Sequence, residues 1–89
     1  MVLLGLSAQA QVLPAEVTRF FQERETCEHF LGEPVEGQTP EQRKRRAFVA
    51  DSVDIYCSGT DKRLAALKRR YASHKATMAV LRPLEEKLE

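Results

Sequence analysis

The sequence predicts an all-α domain of three to four helices in a compact orthogonal or irregular array, stapled by one disulfide. Three observations lead there. Apolar residues recur at three- and four-residue steps in four successive segments, start and stop residues bracket those segments, and the two cysteines sit near the ends of the first two. The length of 89 residues suits one domain, and 43% hydrophobic with 30% charged residues is a globular balance rather than a disordered one.

The first helix is expected over about 14–31: Pro14 suits an initial helical position, and Val17, Phe20, Phe21, Cys27, Phe30 and Leu31 follow along one apolar face. Gly32 supplies a stop, and residues 32–39 have the Pro, Gly and charge content of a linker. Thr39-Pro40-Glu41-Gln42 opens the second helix, about 40–57, with a Thr N-cap, Pro at the first helical position and Gln placed to complete a capping box. Its apolar stripe is Phe48, Val49, Val53, Ile55 and Tyr56, and Ser58-Gly59 ends it. Thr60 or Asp61 caps a third helix of about 61–72 through Leu64, Leu67 and Tyr71. Ser73 is the expected cap of a short fourth helix through Ala76, Met78, Val80 and Leu81, with Pro83 beyond it.

The two ends read as processing signals rather than fold. Residues 1–10 form an apolar run closing on Ala8-x-Ala10, the small-x-small pattern before a signal-peptidase cut at Gln11, so they are expected to be a signal remnant or a disordered leader. Residues 11–84 are then the helical domain, and 85–89 a disordered tail in which Leu88-Glu89 matches the stub of an appended tag. No apolar run reaches the ~20 residues needed to span a bilayer. A periplasmic or secreted location follows, and in such a compartment Cys27 and Cys57 are expected to be bonded.

That bond constrains topology. In a simple antiparallel hairpin, Cys57 would lie a helix length of ~25 Å from the end of helix one, beyond the ~4.4–6.8 Å between bonded Cα atoms. An extended 32–39 linker reaches back ~25 Å. Helices one and two are therefore expected to cross steeply or run in the same sense.

Charge divides along the chain although the net charge is only +1. Residues 15–41 carry seven Glu against Arg19 and Arg24, whereas residues 42–82 are basic. Facing, mutually neutralising helices are one reading. The sharper reading brings Arg43, Lys44, Arg45 and Arg46 together with Lys68, Arg69 and Arg70 on one surface for lipid headgroups, envelope polymers or an acidic protein. Nucleic acid is disfavoured because no helix-turn-helix or RNA-binding signature accompanies the charge.

Enzyme and metal chemistry find little support. Cys27, His29, Cys57 and His74 are the residue types of a zinc site, but Cys-x-His on a helix turns its side chains ~200° apart. The same geometry separates Cys27 and His29 as nucleophile and base. Glu23, Glu25 and Glu28 offer carboxylates without a partner placed across a cleft, and none of the glycines forms a phosphate-cradling loop. No cofactor, metal or catalytic residue is expected, and the protein is expected to be a monomer.

Cys27-Glu28-His29-Phe30-Leu31-Gly32-Glu33 and Leu64-Ala65-Ala66-Leu67-Lys68-Arg69-Arg70-Tyr71-Ala72, within residues 20–81, resemble small exported bacterial proteins. These have a Cys-x-His-Phe-x-Gly-Glu opening, a second cysteine about thirty residues on and a Leu-rich segment ending in Arg-Tyr-Ala. The resemblance implies export and a disulfide-linked helical fold, makes His29 and Glu33 a candidate surface motif, and implies no activity. The functional expectation is a non-enzymatic binding or structural module. The alternatives are an electrostatic binder of anionic envelope components or an acidic protein, and, ranked last, a metal-binding protein.

Overall fold

A computed structural model describes residues 13–89, and within them regular structure is entirely helical. The helices are α1 (Ala15–Leu31), α2 (Pro40–Cys57), α3 (Thr60–Arg70) and α4 (Lys75–Leu81). Residues 1–10, expected to be a leader, lie outside the described residues. No helix among the described residues is long and apolar enough to cross a membrane.

Local chemistry explains most boundaries. At α2 the Thr39 hydroxyl accepts from the Gln42 N–H, and the Gln42 side chain accepts in return from the Thr39 N–H, so the expected capping box is formed. Three boundaries differ from expectation. Pro14 is the N-cap of α1 rather than its first residue. The N-cap of α3 is Gly59, whose φ of 76° favours glycine. At α4 His74 replaces Ser73 as cap, its Nδ1 accepting from the Thr77 N–H.

Cys27 and Cys57 are bonded, with Cα atoms 5.0 Å apart, and both are buried. The helices they join run antiparallel, which corrects the expectation of a steep crossing or a same-sense pair. As the chain advances from Cys27 through Phe30 and Glu33 to Gln38, its partners retreat along α2 from Cys57 through Tyr56 and Phe48 to Arg45 and Arg43. In a simple hairpin the chain would bend back at the end of α1. The linker instead continues forward, beside the first half of α2, and α2 returns far enough for its last turn to meet Cys27. Eight extended residues and an 18-residue helix cover similar lengths, ~25 Å each, so the offset places the cysteines together.

The other direction along α1 meets α3. Arg24 contacts Thr60, Glu23 contacts Arg63 and Glu16 contacts Arg70, again antiparallel. Thus α1 and the linker form one rail, α2 and α3 the other, and the disulfide ties them near the middle. At the α3 end, Val17, Phe20, Leu64, Leu67 and Leu81 form the buried core, with Phe21, Tyr71, Met78, Val80 and Leu84 packed around it.

Residues 85–89, expected to be a disordered tail, instead lie back along α3. The Asp61 carboxylate accepts from the Leu88 N–H at 2.9 Å and the Glu89 N–H at 3.1 Å. Glu89 accepts from the N–H groups of Gly59 and Asp61, both at 3.2 Å. The physical reason is the exposed start of α3: a glycine N-cap has no side chain to satisfy those donors, and an acidic residue supplies the acceptor from outside. Arg24 lies beneath, 1% exposed, donating to Thr60 Oγ1 at 3.1 Å and to the Glu85 carbonyl, with Asp61 at 3.5 Å.

Candidate functional site

The site is the junction of α1, the linker and α2, on the side of the disulfide away from the core. Phe30, in the last turn of α1, is its centre. Its ring lies edge-on to Phe48 at 5.6 Å between centroids and stacks on Tyr56 at 6.4 Å with an interplanar angle of 13°. The Arg45 guanidinium lies 5.0 Å from the Phe48 ring centroid and 6.0 Å from that of Phe30. Such contacts combine cation–π attraction with covered apolar area.

Arg45 is held in place by Glu33 through two parallel hydrogen bonds, Nε to Oε2 at 2.5 Å and the terminal nitrogen to Oε1 at 2.6 Å. Those bonds hold the Glu33 carboxyl below the usual carboxylate range and raise the Arg45 guanidinium in turn. His29 Nε2 lies 3.7 Å from Glu33 and its side chain is largely exposed. The two residues of the suggested surface motif, His29 and Glu33, are therefore neighbours, with Arg45 completing the set.

The apolar components are only partly covered. Phe48 is 51% exposed, Ile55 71%, Leu31 46% and Tyr56 36%. Phe48 and Ile55 are seven residues apart, two helical turns, and so share one stripe of α2. The stripe is legible in the sequence, but its exposure is not: α2 buries only Ser52 and Cys57.

The basic clusters do not converge. Arg45 pairs with Glu33, past the end of α1, and Arg70 pairs with Glu16 in its first turn. Those α1 ends are ~22 Å apart. Within the first cluster, Arg43 donates to the Gln38 carbonyl at 2.6 Å, and Arg46 to the carbonyls of Gly37 at 2.9 Å and Val35 at 3.4 Å. An irregular linker leaves carbonyls unpaired, and these guanidinium groups satisfy them. Lys44 is exposed. In the second cluster Lys68 lies 3.5 Å from Glu86, Arg70 pairs with Glu16 and Arg69 is exposed.

For metal chemistry, Cys27 and Cys57 are bonded to each other and have no thiolate to offer. Among the described residues no three His, Cys, Asp or Glu side chains are grouped to hold an ion. Sequence reasoning missed Arg24 as a buried residue, taking it for a surface charge; its spacing of four from Phe20 and three from Cys27 was the available signal. Comparison with known families, curated proteins and solved structures gave no match.

Proposed function

We propose that this protein is a non-enzymatic binding module of an oxidising compartment, periplasmic or secreted, which engages a protein partner through the aromatic face around Phe30, Phe48, Ile55 and Tyr56. The observation that carries the reading is an 18-residue helix that buries only two of its residues while presenting Phe48 and Ile55 to solvent. Exposed aromatics beside an immobilised arginine are the composition of protein interface centres. The compartment rests on the disulfide, which persists where thiols are not kept reduced.

An electrostatic role for residues 43–46 is less supported, because Arg43, Arg45 and Arg46 are engaged with the linker and Glu33. The test replaces Phe48 and Ile55 together by Ser and compares partners crosslinked in the exported fraction of the native host. The variant should keep its helicity and lose the crosslinked partner. Partners retained unchanged by the folded variant would refute this face as the interface. Intact mass of the non-reduced protein from that fraction, beginning at Gln11 and two hydrogens short, is the expected result for export; free thiols would refute the compartment.

A further inference from the structure

We propose a second binding site, for a small monoanion with an apolar body, in the cleft between α1 and α3 at the opposite end of α1 from the aromatic face. The cleft has a volume of about 260 Å³ and is lined by Arg19, Arg63 and Arg70 together with Glu16, Phe20 and Leu67. Its floor is apolar, since Phe20 and Leu67 belong to the buried core. Its walls carry three guanidinium groups, the side chain best suited to grip a carboxylate with two parallel bonds.

Two of the arginines are partly engaged. Arg70 reaches both oxygens of Glu16 with one terminal nitrogen, at 2.7 and 2.5 Å. Arg63 donates to Glu23 through a terminal nitrogen, and its guanidinium carbon lies 5.5 Å from the Phe20 ring centroid. The Arg63 Nε–H is covered and has no hydrogen-bond partner among the described residues, so Arg63, whose side chain is 43% exposed, meets the cleft through its terminal nitrogens, with the neighbouring Nε–H as a reporter. Arg19 makes no ion pair among the described residues, and residues 1–12 contain no Asp or Glu that could supply one.

Charge counting sets the ligand class. Three guanidinium groups face the carboxylates of Glu16 and Glu23, leaving one positive charge in excess. A monoanion neutralises that excess, whereas a dianionic phosphate monoester would add repulsion against both glutamates. The apolar floor favours an acid with a hydrocarbon body over a bare ion. The ligand class is thus a medium-chain or aromatic monocarboxylic acid, bound with its carboxylate between Arg19 and Arg63 and its body over Phe20 and Leu67.

The test is an NMR titration of the full, oxidised chain with octanoate, with acetate and octylamine as controls, following the backbone and the arginine Nε–H signals. Octanoate is expected to shift Arg19, Phe20, Leu67 and the Arg63 Nε–H saturably in the millimolar range or below, with acetate at least about tenfold weaker and octylamine without effect. Arg19→Gln removes an exposed side chain, keeps the fold and is expected to weaken octanoate about tenfold, the equivalent of one lost charge-assisted bond. Arg63→Gln should weaken it also, and helicity measured in parallel separates lost binding from lost folding. No saturable shift, acetate binding as well as octanoate, or a folded Arg19→Gln that binds unchanged would each overturn the proposal.

Discussion

The two ends of this molecule are held together by different physics. At the α3 end, Val17, Phe20, Leu64, Leu67 and Leu81 exclude water, and helices pack because their apolar faces meet. At the α2 end little is buried, and a disulfide, a bidentate Glu33–Arg45 pair and arginine bonds to linker carbonyls hold the chain in place. A covalent tie and polar clamps can thus position a helix without burying its apolar stripe. That stripe then remains available for another molecule.

The largest expected effect comes from breaking each end by its own dominant force. Replacing Cys27 and Cys57 by Ser should lower stability by about 3–4 kcal/mol, since the bond spans 30 residues and restricts the unfolded chain accordingly. Leu64→Ala should cost a similar amount, about 2–5 kcal/mol, by leaving a cavity. Hydrogen exchange separates them: the cysteine variant should lose protection first in α2, and the Leu64 variant in α3 and the first half of α1. Equal loss throughout the molecule in both variants would show that the ends form one cooperative unit and break the comparison.

A smaller effect is expected at Asp61. Its burial alone would raise its pKa, but hydrogen bonds from the Leu88 and Glu89 N–H groups, with Arg24, outweigh that and hold it below the usual 3.8. The folded pKa is depressed, so the contribution to stability is complete above the unfolded value and is lost as pH falls through the folded one. Stability at the α3 end should therefore decline in acid below pH 3.8, more steeply in the native chain than in Asp61→Asn. At neutral pH that substitution, which weakens the partner set of buried Arg24, should cost about 1–3 kcal/mol by thermal or urea unfolding. Glu16 is also held low, first by hydrogen bonds from Tyr71 and then by Arg70, and Glu33 by those from Arg45, so both ends lose ion pairing in the same direction.

The smallest expected effect sharpens the role of the linker. Gly37 has a φ of 98°, and a Cβ added there would lie 2.0 Å from the Gln42 side chain. Gly37→Ala should therefore strain the backbone and displace half of the Thr39–Gln42 capping box, costing about 1–2 kcal/mol. Fraying of the first turn of α2, read by exchange of the Gln42 and Arg43 amides, checks it. An unchanged first turn would show that the linker does not set the start of α2.

Helix content, the capping box and the cysteine pair were legible because they rest on simple rules: the apolar step along α1, the Thr39-Pro40-x-Gln42 order, and two cysteines with one possible pairing. The candidate site was only half legible. Phe30, His29 and Glu33 stood out as a motif, but Arg45 was read as one of a basic run, and Phe48 and Ile55 only as members of an apolar stripe. Periodicity reports which residues share a face and cannot report whether anything covers that face.

Local sequence rules settled the existence of the four helices, the start of α2, the staple and the separation of acidic from basic segments, because each depends on residues close along the chain or on a pair with one possible partner. Tertiary structure alone decided that α1 and α2 run antiparallel with an offset, that Arg24 is buried, and that the tail returns to cap α3. It also parted the two basic clusters to opposite ends of α1. These outcomes depend on how far the linker travels before α2 turns back, a quantity set by contacts between residues distant in sequence, for which no local pattern carries a signal.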